Sequence, residues 1–345
     1  MIFLLLYKYS DWNNKHTKEN LKLNRLYFNI ATNFNDPFDM YPSYQILNRK
    51  LYNNQQKKYL QKERGYTKKN ARIASTLMSN RAILNTAIIS MRYHKAISRY
   101  GITCFSENNS NMLMWSHYAK NHSGICLGFD IPIDNISLFF NNTFLPDIRL
   151  LKINYTSIRP TLPLLKKDLT YENILPIFRD KSFDWQYEKE HRLLLLGEKN
   201  SFPSCLTYNP QYLKEIILGA NINLNDFIDF YEFKKSTQNL SKTKIFIMTL
   251  NSLEYKLNLN KFDETSLDLL YNNLIFLKQH LKYLEKLKHI TDNEKINAFD
   301  NIPLNLILTI CNLFSKELLT NEILSKKNSL AMQVYDFMEL IINQV

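Results

Sequence analysis

Glycine is nearly absent from this chain, with 6 in 345 residues. Each therefore carries positional meaning. Gly124 and Gly128 bracket one short apolar run, Ile125–Phe129, where a missing side chain lets a backbone or a ligand come close. Cysteine is sparser still. The 4 thiols, Cys104, Cys126, Cys205 and Cys311, are scattered through apolar sequence, which excludes a disulfide framework or a zinc cage and fits core thiols in a reducing cytosol. No apolar run approaches the ~18 residues that a membrane-spanning helix needs, and no low-complexity tract interrupts the chain. The opening Met1-Ile-Phe-Leu-Leu-Leu6 is too short for a secretory leader and lacks a basic start and a small-residue cleavage site. It reads as a buried first strand. With 45% hydrophobic and 22% charged residues, a chain of this length is expected to be globular, with two domains or one domain and a large appendage.

Acidic residues are missing from one segment. Between Arg49 and Arg99 stand 13 Lys or Arg against Glu63 alone, a local +12 that equals the net charge of the whole chain, +12. Gln, Lys, Ala, Leu and Ile dominate residues 45–99, which predicts a helical insertion broken at Gly65, with a second helix from Lys69 to Arg99. Such an arm is either a solvated helical face or a docking surface for RNA, an acidic protein or an anionic membrane.

The rest is organised around residues 103–130. Thr103–Ser106 is β-prone, Met112, Trp115, Ala119 and His122 share a helical face, and Ile125–Phe129 makes a second strand. This unit places Ser106, Glu107, Trp115, Ser116, His117 and Tyr118 near one sheet edge, mixing an aromatic platform with hydrogen-bonding groups as a small-molecule pocket does. The same spacing of Met and Trp also suits an ordinary core. Phe3–Tyr9 and Arg25–Asn29 are strands joined by a polar helical link, and Asn35-Asp36-Pro37 is a turn that Phe34 and Phe38 anchor to the core. Leu150–Tyr155, Leu213–Gly219 and Lys244–Leu250 are further strands, with helices over Thr170–Phe178 and Asn225–Lys235. The expected class is α+β for residues 1–258, with small mixed or antiparallel sheets and the insertion at 45–99. Residues 259–345 are expected to form an all-α C-terminal domain. Asp263 offers an N-cap, Leu267, Leu270, Leu274, Leu277, Leu281 and Leu284 keep a 3,4 spacing, and Asp300-Asn301 before Pro303 starts another helix. That stripe either folds back on the body or mediates self-association.

The second chemistry-bearing stretch is Trp185-Gln-Tyr-Glu-Lys-Glu-His-Arg192, which runs into Leu193–Leu196. As a strand, its period of two puts Glu188, Glu190 and Arg192 on one face and Tyr187, Lys189 and His191 on the other. Two carboxylates and a guanidinium on one surface are costly to bury without compensation. As a helix, Glu188 and Arg192 make an ordinary i,i+4 pair.

Leu6-Tyr-Lys-Tyr9, Leu26-Tyr-Phe28 with Phe34-Asn-Asp-Pro-Phe38, Cys104-Phe-Ser-Glu107, Met114-Trp-Ser-His-Tyr-Ala119, Gly124–Phe129, Trp185-x-Tyr-Glu-x-Glu-x-Arg192 and Ile216-Ile-Leu-Gly219 together resemble a widespread bacterial domain family of unknown function. The signatures run in the family's order from about Leu6 to Leu257. The layout is also similar, more distantly, to the ADP-ribosyltransferase fold. That resemblance implies an enzyme that takes NAD as substrate, cleaves its nicotinamide glycosidic bond and passes ADP-ribose to a protein or nucleic acid. It implies that Glu190 steadies an oxocarbenium-like transition state and that Glu188 activates the acceptor, with Arg192 beside them. Ser106 would support the catalytic Glu, while Trp115 or Tyr118, with His117, would border the nicotinamide. Lys8 and Tyr9 stand where the first strand of that fold usually offers Arg or His, and Cys104-Phe-Ser106 reproduces half of its usual Ser-Thr-Ser.

Two other readings stay open: an RNA-binding or partner-docking module that works through the basic arm, and a nuclease using Glu188, Glu190 and His117. His117 and His122 are five apart, which is poor ligand spacing on one helix, so no metal is expected. The expected setting is the bacterial cytoplasm, or delivery to a target cell by a non-Sec route as a toxin, effector or defence protein.

Overall fold

The computed structural model describes residues 1–43, 49–80, 93–94, 96–140, 147–161, 171–196, 204–272, 274–275 and 278. The strands, in chain order, are β1 (Phe3–Ser10), β2 (Arg25–Phe28), β3 (Tyr100–Ser106), β4 (Ile125–Pro132), β5 (Ile148–Lys152), β6 (Asn154–Thr156), β7 (Asp180–Ser182), β8 (Glu190–Leu196), β9 (Ser204–Thr207), β10 (Leu213–Leu218), β11 (Lys244–Leu250) and β12 (Leu257–Phe262). The helices are α1 (Lys15–Lys22), α2 (Arg49–Arg64), α3 (Lys68–Asn80), α4 (Met112–Tyr118), α5 (Tyr171–Arg179) and α6 (Leu224–Ser236). The protein is thus a mixture of α and β with a multi-stranded sheet. Among the described residues no helix is long and apolar enough to cross a membrane.

The chain divides into two compact units that alternate along the sequence. The first comprises Met1–Arg25, Ser106–Asp134 and Tyr208–Val345, and the second Leu26–Phe105 and Asn135–Thr207. The boundary expected near Asn258 falls inside a strand instead. β12 pairs antiparallel with β11 as far as Phe262 opposite Ile245; Asn and Lys make up half of its six residues, so its composition reads as linker although its register does not.

In the first unit the strands lie in the order β12-β11-β10-β4-β1. β1 runs antiparallel to β4 from Phe3 opposite Pro132 to Ser10 opposite Ile125. β10 is antiparallel to β4 and parallel to β11, and a parallel pair needs a crossover. α6 supplies it, capped by Asn223, whose Oδ1 accepts from the Asp226 amide at 2.8 Å. Trp12 is wholly buried beneath α6, edge-on to Phe230 and Phe233, and its N–H donates to Asp229 at 2.8 Å.

Residues 264–272 are helical, and Asp263 caps them through the Ser266 amide at 2.8 Å. Leu267, Leu270 and Leu274 are buried. Tyr271 stacks on Tyr231 of α6 at 3.9 Å and Lys234 reaches Glu264 at 2.8 Å, so the start of the leucine stripe packs back on α6. Leu277, Leu281, Leu284, the helix expected after Asn301 and Cys311 lie outside the described residues.

In the second unit β3, β8 and β5 are neighbours, β5 running antiparallel to β8 from Ile148 opposite Leu195 to Lys152 opposite His191. The single strand expected over Leu150–Tyr155 is broken at Ile153, whose amide donates to the Glu190 carbonyl at 3.0 Å. β6 pairs instead with β7, in parallel. Tyr93, Ile97, Tyr100, Ile102, Ile174, Ile177, Phe178 and Leu194 form the core here. The turn at Asn35–Asp39 behaves as its sequence predicts, with the Asp36 Oδ1 accepting from the Phe38 amide at 2.8 Å. Its anchors differ: Phe34 packs on the core, Phe38 is 63% exposed, and Asp39 turns inward. Cys126 is buried as expected of a core thiol, but Cys205 is exposed.

Gly65 ends α2 in the left-handed region (φ 66), and the Tyr66 amide closes back on the Leu60 carbonyl at 3.0 Å. This is the αL helix stop that glycine makes cheap. Thr67 then opens α3, its Oγ1 accepting from the Asn70 amide at 3.2 Å.

Candidate functional site

The charges of the second unit are gathered by a break in the backbone, where the period of two had predicted an unbroken strand. Phe183–Glu188 is a 3-10 helix that ends at Lys189 in the left-handed conformation (φ 44), and β8 starts only at Glu190. Glu188 and Glu190 nevertheless meet, because both reach Lys181. Its Nζ donates to Glu188 Oε2 at 2.5 Å and to Glu190 Oε2 at 3.0 Å, and stands 3.6 Å from Asp39 Oδ2. The ring of Trp185 lies 4.9 Å from the same ammonium, a cation–π distance.

Arg192 braces the cluster. It donates from Nε to Glu190 Oε1 at 2.7 Å, and from Nη2 to Glu190 Oε2 at 2.9 Å and Asp39 Oδ2 at 2.7 Å. Its Nη1 donates to the Phe178 carbonyl at 3.0 Å. Asp39, Lys181, Glu188, Glu190 and Arg192 are each 8% exposed or less. Three carboxylates against two cations leave a formal charge of −1. One further acceptor, Asp39 Oδ1, is buried and takes no hydrogen bond from the described residues.

Burial alone would raise the Glu190 carboxyl. The charges of Arg192 and Lys181, the Arg192 hydrogen bonds and the Cys104 thiol outweigh it and hold that carboxyl well below the usual carboxylate range. Burial pulls the Lys181 ammonium down, but Glu190, Asp39 and Glu188 together lift it above its ordinary value. The Tyr155 hydroxyl accepts from the Glu190 amide at 2.8 Å. Burial, with the nearby Glu190 and Glu188 charges, pushes that hydroxyl up to about 12 against the pull of the amide, so it stays protonated at neutral pH.

The remaining predicted residues belong to the first unit, apart from that cluster in the division of the chain. Tyr9 donates from its hydroxyl to the Asn108 carbonyl at 2.7 Å, and Trp115 donates from its indole to the Asn109 carbonyl at 2.7 Å. Ser106 Oγ accepts from the Asn108 amide at 3.0 Å. These three side chains pin the loop over residues 107–111, which ends at Asn111, the cap of α4. Trp115 is wholly buried, edge-on to Tyr9 at 5.2 Å between ring centroids. In this arrangement it offers no face for stacking, which corrects its expected role as a platform. His117 is exposed and lies against half-buried Tyr118. Lys8 is half-buried, on the face of β1 opposite Tyr7 and Tyr9 by the strand's alternation.

Sequence reasoning missed Asp39 and Lys181, which lie far from Glu190 or outside its strand. A charge count was the available signal: two carboxylates and one guanidinium are costly to bury together without another cation. It also missed the pair Tyr7 and Glu215. Gly128 lies opposite both on β4, and a Cβ there would come within 3.0 Å of Tyr7 Cε1 and of Glu215 Cβ. Its absence lets the Tyr7 hydroxyl donate to Glu215 Oε2 at 3.2 Å. Burial first, then the Glu215 charge, pushes that hydroxyl well above its ordinary value.

Among the described residues no group of three or more His, Cys, Asp or Glu is placed to hold a metal ion. No curated protein and no solved structure matches the chain. Residues 114–193, a span that takes in Trp115, His117, Tyr118, Glu188, Glu190 and Arg192, match a family described as "Protein of unknown function (DUF2971)", and over that stretch the chain is similar to this uncharacterised family.

Proposed function

We propose that the chain is an ADP-ribosyltransferase-like enzyme that binds NAD, cleaves the nicotinamide glycosidic bond and transfers ADP-ribose to a protein or nucleic acid. One observation carries the reading: Glu188, Glu190 and Asp39 are gathered around Lys181 Nζ in a buried setting, with Arg192 bracing Glu190 and Asp39. Carboxylates organised in advance around a cation, away from water, are what a developing oxocarbenium ion requires. Glu190, kept ionised and locked by Arg192, is the stabilising carboxylate, and Glu188 activates the acceptor. Arg192 and Asp39 are positioning groups. Lys181 occupies the place of the substrate's developing charge, so turnover requires its ammonium to leave Glu190. The sequence layout, with Lys8 on a first strand, Ser106 before an aromatic helix and then Glu188-Lys-Glu190, supports the same reading.

The test is nicotinamide release from labelled NAD, with and without a cell lysate as acceptor source, beside thermal melts. Glu190→Gln should abolish cleavage and transfer, because an amide supplies no charge to the transition state. Glu188→Gln should reduce transfer and spare much of the cleavage. Intact turnover in both variants, with equal loss of stability, ends the transferase reading.

The burial itself favours a second reading. Glu188 and Glu190 are 3% and 4% exposed, and Glu190 is already neutralised by two cations, which blunts its pull on a third. On this reading the network holds the second unit together, and the chain acts as an RNA-binding or partner-docking module through its basic helices. It predicts no nicotinamide release from the unaltered protein.

A further inference from the structure

α2 and α3 carry the charge asymmetry of the sequence onto a helical hairpin. From Arg49 to Asn80 there are nine Lys or Arg and one acid, Glu63. Gln56 and Leu60 of α2 and the short Ala71 and Ser75 of α3 are buried, the last two completely. At about 100° per residue, Lys69, Ile73 and Leu77 lie along the side of α3 opposite Ala71 and Ser75. Ile73 is 52% exposed and Leu77 55%. Lys68, Lys69 and Arg72 are exposed around them. An amphipathic helix normally has one apolar face; α3 has a small second one, set among cations.

We propose that this outer face of α3 is a docking site for an acidic amphipathic helix of a protein partner. A nucleic-acid backbone would use the cations but not the aliphatic pair, which would strip water from phosphates and offer them nothing in return. A membrane-seeking helix shows a broad apolar face with bulky aromatics, whereas Ile73 and Leu77 are bordered by exposed Asn70 and Thr76. A partner helix with Leu or Ile at i and i+4 and acids beside them satisfies both halves of the surface. Its aliphatic groups cover Ile73 and Leu77, in the spacing by which helices are read in grooves, and its carboxylates meet Lys68, Lys69 and Arg72. The excess of nine cations over one acid sets the sign of that partner and favours fast, salt-sensitive association. The inference does not rest on the transferase chemistry.

The test uses the full-length chain and fluorescence anisotropy. The probes are a synthetic acidic helix of about 20 residues with one leucine stripe, single-stranded RNA, and phosphatidylglycerol vesicles. Ile73→Ser with Leu77→Ser, and Lys69→Ala with Arg72→Ala, should each weaken peptide binding by at least about tenfold. Both double variants should melt with the parent protein, since all four side chains are exposed. Peptide binding that survives loss of the aliphatic pair overturns the proposal, as does no peptide binding at about 100 μM and low salt. Tighter binding of RNA or vesicles than of the peptide also overturns it.

Discussion

Lys181→Met is the substitution that most directly probes the charge cluster. Methionine keeps the length of the side chain and removes the ammonium, so the formal charge of the buried group goes from −1 to −2. Glu188 Oε2 then loses the ammonium at 2.5 Å, and Asp39 Oδ2 keeps Arg192 at 2.7 Å. Deleting one member of a buried ion pair costs about 3–5 kcal/mol, which for a unit of this size is a fall in Tm of roughly 10 °C. Glu188→Gln takes the formal charge to zero, leaves Lys181 on Glu190 and Asp39, and should cost less than about 2 kcal/mol. The pH dependence adds a sign. In the parent protein Glu190 is held below its ordinary range, so its contribution is present above the unfolded carboxylate value and fades as pH falls through the folded one. In Lys181→Met, Glu190 loses one of the two cations that hold its carboxyl low, so its folded value moves back up toward the ordinary range. Less of its contribution then remains above the unfolded carboxylate value. The gap between parent and variant should therefore be widest near pH 7 and narrow as pH falls below about 4. Thermal or urea denaturation across that range measures it. A gap that stays constant or widens on acidification refutes the reasoning, and so does a Lys181→Met variant no weaker than Glu188→Gln.

Gly128→Ala should destabilise the first unit by about 1–3 kcal/mol, because its Cβ would sit 3.0 Å from both Tyr7 and Glu215. In a Tyr7→Ala background the same substitution should cost less, because the room is already there, a coupling that a double-mutant cycle of melts measures. Gly65→Ala meets no neighbour within 4 Å but places a Cβ at φ 66, a cost of about 1–2 kcal/mol. It should loosen the α2–α3 hairpin, seen as faster amide exchange over residues 60–72.

Much of the architecture was written in local signals. β1, β4, β8, β10 and β11 each carry a short run of aliphatic or aromatic residues, and the α2–α3 hairpin announces itself through Gly65 and Thr67. The C-terminal helix shows its start at Asp263 and its packing face in Leu267, Leu270 and Leu274. What failed were properties that depend on residues far apart in sequence. The alternation of two units along the chain is one, and the pairing of β12, whose Asn-Leu-Asn-Lys sequence only becomes a strand beside β11, is another. Trp115 shows the limit in a single side chain. Its helical spacing fits core and platform equally, and only the Asn109 carbonyl and the edge of Tyr9 decide for core.

The candidate site was legible as a composition and illegible as a network. Glu188, Glu190 and Arg192 stand out in the sequence because two acids and an arginine precede a buried leucine run. Their meeting does not come from the strand period first invoked, since Lys189 in the left-handed conformation interrupts it. It comes from Lys181, one strand earlier, and from Asp39 in a turn near the start of the chain. Charge balance links them: an isolated trio would place a net negative charge in a dry interior, and the fold answers with an ammonium and then adds another acid. Counted over the described residues, that last step leaves the cluster at −1 around Lys181 and Arg192. The proposed transferase chemistry would use that excess charge to meet a substrate cation, whereas a purely structural network would gain from neutrality. The acid-narrowed gap predicted for Lys181→Met tests the charge balance, and nicotinamide release from labelled NAD tests the chemistry.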